Sequence, residues 1–430
     1  MSYKAPTPAP VTEAHVPQEL FDTILEYYAD IYDSEFSTPI FAAPPLLQCT
    51  LVSRAWRYAT RRAAFRTVSA PANTMPTFID LLQSPLESFG IHVKNLVIFD
   101  RNLDKRSSGV GGQICPSHVR QVLAKLPLLQ RLYLDDVCLR WEPPRPGVFE
   151  GSETLYSLCK LSLSVRFIKP AVAPGHGDPS DVQGVILAQL LGLFSEVHSL
   201  TLRDMESLWH LPMKDDSDGD VDNHVGSESE VQLRVHKLTF RSLRSKDWWN
   251  RIRRGLPRRV RIDGVEDLRI KDCDSANAHI LLDMFGGTAI RLCMVVADGP
   301  VTVAVDLSAL SCLQSLQLTL LTHNNTRLSS YNLEKVQFIG RVLGSLPPDH
   351  ITCLNITTTL HNISSDRDHA VLQTLMRVDT MIAQQKNLQD VLLAIDLLQN
   401  SNSEMLEGAE DLFRRCLPRL YERAALYVTT

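Results

Sequence analysis

The chain has 430 residues, of which 44% are hydrophobic and 22% are charged, and its formal net charge is −5. This composition is typical of a folded globular protein and excludes a collagenous or largely disordered chain. The longest apolar run, residues 184–194, is shorter than the roughly 20 residues that cross a bilayer, and the first fifteen residues lack the apolar core of a secretory signal. We therefore expect neither a membrane span nor secretion, and a cytoplasmic or nuclear location.

The nine cysteines are scattered along the chain, and no two of them form a C-x-x-C pair. No pair of histidines completes the spacing of a zinc site either. Such cysteines are typical of reduced, mostly buried side chains. We expect no structural disulfide, no metal ion and no cofactor.

The N-terminal part of the chain divides into a tail and a helical module. Residues 1–14 are rich in proline and have no hydrophobic periodicity, which predicts a disordered tail. Over residues 15–70, apolar side chains recur in three short stretches that begin near Phe21, Leu46 and Trp56. The pattern predicts a module of three short helices.

Residues 71–430 repeat a different pattern, in which an extended stretch of the form apolar-x-x-apolar-x-apolar alternates with a helical one. The central apolar residues of the ten extended stretches are Leu96, Leu132, Leu161, Leu200, Leu238, Leu268, Cys293, Leu316, Leu354 and Val391. Helical stretches are predicted at 118–126, 182–194, 276–284, 333–346, 369–382 and 405–417. Period-two alternation puts the apolar residues on one face of each strand. The predicted fold class is α/β, a solenoid of parallel strands alternating with helices over one continuous core.

Two neighbouring stretches concentrate the charge of the chain. Residues 214–230 sum to −6 and predict a solvated acidic loop inserted between repeats, whereas residues 234–261 sum to +10. The basic stretch is interpreted as a solvated face, as a patch for acidic or phosphorylated protein segments, or as a nucleic-acid site. The candidate patch residues are Arg241, Arg244, Trp248, Trp249, Arg251, Arg253 and Arg254. We also hypothesise that the acidic loop folds over this patch and competes with its ligands.

The helical module resembles an F-box, because it contains Val16-Pro17-Gln18-Glu19-Leu20, Ile24-Leu25 and Leu51-Val52-Ser53-Arg54-Ala55-Trp56. The F-box family reads Leu-Pro-x-Glu-Leu, Ile-Leu and Leu-Val-x-Arg-x-Trp in the same order. Val16 replaces the usual leucine, and the loop over residues 30–45 is longer than the link in the family. The remaining chain resembles irregular leucine-rich repeats, most closely at Val265-Glu-Asp-Leu268-Arg-Ile270-Lys-Asp-Cys273.

An F-box followed by irregular leucine-rich repeats resembles the substrate receptors of SCF-type cullin–RING ubiquitin ligases, a family with a large fungal set. The resemblance implies a non-catalytic subunit whose F-box binds a Skp-type adaptor, and through it the cullin and RING subunits, while the repeats bind the target protein. It implies that Pro17, Leu20, Ile24, Leu47, Leu51, Val52 and Trp56 are adaptor-facing or core positions of the module. The alternative is a repeat scaffold outside any ligase that binds proteins, or nucleic acid, through residues 234–261. No catalytic or phosphate-loop motif appears in the sequence, so we do not expect an enzyme.

Overall fold

The fold is described by a computed structural model. The described residues are 19–20, 23–24, 54–84, 89–100, 112–140, 155–167, 182–207, 231–241, 260–273, 275–296, 305–320, 330–346, 350–361, 369–398, 411–422 and 426–429. The predictions made for the tail of residues 1–14 and for the acidic loop of residues 214–230 lie outside the described residues.

Two parts of the N-terminal module are helical where helices are predicted. Residues 19–20 and 23–24 are helical, and helix α1 spans Arg54–Ala64. Strand β1, Thr67–Pro71, follows α1 and straddles the predicted domain boundary at residue 70.

The described strands form a single sheet of fourteen, in which every neighbouring pair is parallel. After β1 the strands are β2 (Asn95–Phe99), β3 (Gln113–Ile114), β4 (Arg131–Leu139), β5 (Tyr156–Phe167), β6 (Phe194–Ser207), β7 (Val231–Arg241), β8 (Val260–Asp263), β9 (Asp267–Cys273), β10 (Arg291–Val296), β11 (Ser315–Leu320), β12 (Cys353–His361), β13 (Asp390–Leu398) and β14 (Leu426–Thr429). The sheet order is β1-β2-β4-β5-β6-β7-β9-β10-β11-β12-β13-β14, with β3 beside the end of β4 and β8 beside the start of β7. Because sheet order follows chain order, the fold is α/β and solenoid-like, as predicted.

All ten predicted strands are present, but in one of them, β10, the prediction of which residues face the core is wrong. The residues that pair across the sheet in one row are Leu96, Leu132, Leu161, Leu200, Leu238, Leu268, Leu292, Leu316, Leu354 and Val391. In β10 the prediction of Cys293 as the central core residue is wrong by one position, because Leu292 and Met294 are buried and Cys293 lies on the other face. Residues 289–296 are almost continuously apolar, so either set of alternate residues could face the core. A shift by one residue exchanges the two faces of the strand. The observed arrangement buries the larger side chains.

Helices connect the strands over one hydrophobic core. They are α2 (Met75–Gln83), α3 (Pro116–Leu123), α4 (Val182–Leu191), α5 (Ser275–Phe285), α6 (Ser330–Gly344), α7 (His369–Gln384) and α8 (Pro418–Glu422), with residues 411–416 also helical and 3-10 turns at Ala72–Thr74, Phe89–His92 and Gly286–Thr288. Buried apolar side chains from β1 to α8 belong to one continuous cluster. No helix in the described part of the chain is both long enough and apolar enough to span a membrane.

Candidate protein-binding surfaces

Two apolar side chains one helical turn apart are exposed near the N terminus. Leu20 is 53% exposed and Ile24 is 46% exposed. Both residues are helical, and Thr23 Oγ1 donates a hydrogen bond of 2.8 Å to the Glu19 carbonyl oxygen one turn earlier. Because residues four apart share a helix face, Leu20 and Ile24 present one apolar surface, which we call the apolar pair. Both belong to the predicted adaptor-facing set.

The rest of that set is described only in part. Trp56 lies in α1. Pro17, Leu47, Leu51 and Val52 lie outside the described residues. The apolar pair is therefore the part of the predicted adaptor surface whose exposure is known.

The face of the sheet opposite the core carries a band of cations from β4 to β10. Three rows of residues pair across these six strands: Arg131, Lys160, Ser199, Lys237, Asp267 and Arg291; then Tyr133, Ser162, Thr201, Thr239, Arg269 and Cys293; then Asp135, Ser164, Arg203, Arg241, Lys271 and Val295. We call the eight basic residues of these rows the basic face: Arg131, Lys160, Arg203, Lys237, Arg241, Arg269, Lys271 and Arg291. Asp135 and Asp267 are the acidic residues of these rows, so the three rows together sum to +6, and Asp136, Asp204 and Asp272 border the third row.

Asp267 orients two cations of the basic face. The Nε and a terminal nitrogen of Arg269 donate hydrogen bonds to the Asp267 carboxylate at 3.1 and 3.0 Å, and Lys237 Nζ lies 3.8 Å from it. The Asp267 side chain is 10% exposed, whereas those of Arg269 and Lys237 are 36% and 34% exposed. The hydrogen bonds with Asp267 raise the pKa of Arg269. The carboxylate therefore lies beneath the cations and holds them while they face solvent.

In the third row, both arginines also have an acidic partner. Arg203 forms an ion pair with Asp135, and Arg241 Nε lies 3.6 Å from Asp272 Oδ2. Asp272 and the equivalent aspartates Asp136 and Asp204 have positive φ angles, of 56°, 55° and 46° respectively. Aspartate tolerates this left-handed conformation better than most residues. At Asp136, Asp204 and Asp272 the strands bulge, which places a carboxylate beyond the third row.

A buried ion cluster lies next to this surface, at the end of β5. Arg166 Nε lies 2.9 Å from Asp136 Oδ1, and its terminal nitrogen donates to the Asp136 carbonyl oxygen at 2.8 Å and lies 3.6 Å from Asp100 Oδ2. Asp100 Oδ2 also accepts the backbone N–H of Gly112 at 3.0 Å. The side chains of Arg166 and Asp100 are 8% and 3% exposed, so this cluster joins β2, β4 and β5 rather than facing a ligand.

A histidine lies between two glutamates at the start of the central strands. His236 Nε2 is 3.3 Å from Glu196 Oε1, and its Nδ1 is 3.7 Å from Glu266 Oε1. The ring of His198 is tilted against that of His236, with the ring centroids 5.2 Å apart. These residues were not among the predicted site residues, although His198, His236 and Glu266 occupy equivalent positions of successive repeats.

Two thiols lie close to these charged groups. Burial raises the pKa of Cys138, which neighbours the Arg166 cluster. Burial also raises the pKa of Cys293 on the sheet face, although Lys271 and Arg269 act in the opposite direction. Both side chains therefore remain thiols at neutral pH, and the thiolate is the nucleophilic form.

The described residues contain no cluster of side chains suited to a metal centre. No group of three or more histidine, cysteine, aspartate or glutamate side chains within the described ranges could hold a metal ion. An open cavity of about 660 Å³ lies on β12 and β13, lined by Asn355, Leu392 and Asp390 among others. Its lining contains no basic residue.

The predicted patch and the basic face overlap at one described residue. Arg241 ends β7, is exposed and belongs to the third row. Arg244, Trp248, Trp249, Arg251, Arg253 and Arg254 lie outside the described residues. Lys237 lies in the predicted basic stretch 234–261 but was not among the candidate patch residues, and the remaining members of the basic face were not predicted because they are distant in the chain. Reading the polar positions of the aligned strands, row by row, would have found them.

The comparisons with known proteins add no family assignment. No model of a known protein family matches the chain, and no curated protein matches it.

Proposed function

We propose that the chain is the non-catalytic substrate-recognition subunit of an SCF-type cullin–RING ubiquitin ligase in the cytoplasm or nucleus. The F-box-like order of Pro17, Leu20, Ile24 and Trp56 supports an adaptor-binding module. The exposure of the apolar pair is the observation that carries the proposal, because adjacent exposed apolar side chains are typical of a surface that a partner covers.

The proposed mechanism requires no chemistry in this chain. The N-terminal module binds a Skp-type adaptor, while the sheet face binds a target protein. Holding both on one chain raises the effective concentration of the target near the ubiquitin-charged enzyme. The long parallel sheet supports this role, since it provides an extended surface with many side chains in fixed register.

A pull-down of the full chain with a purified Skp-type adaptor tests the proposal. We expect the wild type to bind and Leu20→Asp plus Ile24→Asp to bind at least about tenfold more weakly, since burying two charges against an apolar partner is unfavourable. Leu81→Asp plus Met376→Asp is the matched control, because these side chains are similarly exposed on α2 and α7 and the variant also adds two charges. Failure of the wild type to bind any adaptor, or equal loss in the control, would contradict the proposal.

The basic face supports a second candidate function, a repeat scaffold that binds proteins outside any ligase. It requires the sheet surface but not the apolar pair. A chain that retains its cellular partners after Leu20→Asp plus Ile24→Asp, and that never co-purifies with cullin, would favour the scaffold.

A further inference from the structure

We propose that the basic face binds an extended, carboxylate-rich peptide segment, laid across strands β4 to β10. The inference rests on the proposed function only in taking that segment to belong to the ligase target. The site itself is defined by the eight cations and by the register that brings them together.

The cations are spread across the six strands and over the three rows. Each of the six strands contributes at least one, from Arg131 on β4 to Arg291 on β10. Adjacent strands lie about 4.8 Å apart, so the band is about 24 Å long. An extended peptide of about eight residues covers that length. The cations are therefore distributed along the band, and an extended peptide with distributed negative charges can face several of them at once.

Two of the three acidic partners of the basic face are less exposed than the cations with which they pair, and the third, Asp135, is about as exposed as Arg203. Asp267 lies beneath Arg269 and Lys237, and Arg241 is more exposed than its partner Asp272. An arginine has five N–H donors, and a carboxylate that accepts two of them leaves the others for a ligand. Because their partners already restrain these side chains, a ligand orders fewer rotamers when it binds.

The same residues fit a peptide better than a single phosphate or a nucleic acid. A phosphate requires several donors converging on one point, whereas here they are distributed over six strands. Proteins that bind single-stranded nucleic acids present exposed aromatic rings on which the bases stack. Tyr133 is the aromatic residue in the three rows, and Lys160 Nζ lies over its ring, 5.2 Å from the centroid.

Fluorescence anisotropy with the full chain tests the proposal. The probe is a labelled peptide of about ten residues with glutamate at alternate positions, compared with its twin in which glutamine replaces each glutamate. We expect the wild type to bind the glutamate peptide, to bind the glutamine twin much more weakly, and to lose affinity as salt is raised from about 50 to about 300 mM.

Matched variants locate the binding. Arg241→Glu plus Arg291→Glu reverses two exposed charges of the basic face, and we expect affinity to fall by about tenfold or more. Arg377→Glu plus Lys386→Glu makes the same change in net charge at exposed positions on and after α7, and should retain affinity. Arg241→Gln plus Arg291→Gln removes the two charges without reversing them, and we expect an intermediate loss of affinity. This variant keeps the test valid if the reversal variant misfolds. Circular dichroism checks the fold of each variant.

Several outcomes would overturn the proposal. One is equal binding of the two peptides, and another is equal loss in the two reversal variants. Tighter binding of an oligonucleotide of the same charge would assign the face to nucleic acid. Binding only after deletion of residues 214–230 would assign it to the acidic stretch of this chain instead of a partner. Adaptor binding is independent of these results, because it is measured separately and depends on the apolar pair.

Discussion

The exposed face of the sheet has two halves that share one core but differ in charge. From β4 to β10 it carries the basic face. From β11 to β13 the equivalent residues, which we call the neutral face, are Ser315, Gln317, Thr319, Cys353, Asn355, Thr357, Asp390, Leu392 and Ala394. The neutral face contains one charged residue. The leucine row beneath continues through both halves, from Leu132 to Leu354.

This difference in charge shows that folding of the repeat requires the buried leucine row but does not determine the residues on the opposite face. A parallel strand with a buried leucine row tolerates serine, arginine or leucine on its other face, because that face makes no core contact. Charge on six adjacent strands is therefore not a by-product of the fold. Cations placed close together repel one another, and Asp267 and Asp135 offset part of that cost.

The largest expected effect distinguishes two kinds of arginine within the basic half. Arg166→Ala should lower the free energy of unfolding by about 4 kcal/mol, because it removes the buried cation that pairs with the Asp136 and Asp100 carboxylates. Arg291→Ala, at an exposed position, should change it by less than about 0.5 kcal/mol. Chemical denaturation measures both. Similar values for the two would mean that the buried cluster and the basic face are not physically distinct.

A smaller effect tests whether the two halves rest on equivalent cores. Leu268→Ala in β9 and Leu316→Ala in β11 each remove a fully buried side chain of the same row. We expect each to cost about 3 kcal/mol, from lost burial and a residual cavity. Hydrogen exchange of the neighbouring strands shows whether the loss stays local. A cost confined to one of the two sites would contradict a continuous core.

The leucine row was predictable from the sequence because its spacing is local. The ten central positions recur with two-residue alternation around them, and that alone identified the strands. Strands β3, β8 and β14 are two to four residues long, too short to show any period. The sequence did not determine which alternate residues of β10 face the core, because the residues on both faces are apolar. The pairing of Leu292 with Leu268 and Leu316 shows that Leu292 belongs to the buried row.

The basic face was not predictable from local composition. The count of charges along the chain pointed to residues 234–261, of which the described part contributes Lys237 and Arg241 to the face. Arg203 and Lys271 come from other repeats and join these residues only through the register of the sheet. A site built from one or two residues of each repeat is visible in a sequence only after the repeats are aligned.

The smallest expected effect concerns the carboxylate beneath the basic face and can be measured at Cys293. Burial raises the pKa of Cys293, and the Asp267 charge raises it further. Asp267→Asn removes that charge, so the pKa of Cys293 should fall and its alkylation by iodoacetamide at neutral pH should quicken by about two- to threefold. The alkylation rate rises with pH as the thiol ionises, so the plot of rate against pH for the Asp267→Asn variant should be shifted to lower pH than that of the wild type.

Cys353 on the neutral face is the control. Mass spectrometry follows the alkylation of both cysteines, and the rate at Cys353 should not change. Equal acceleration at both cysteines would indicate general loosening of the sheet instead of an electrostatic effect confined to the basic half.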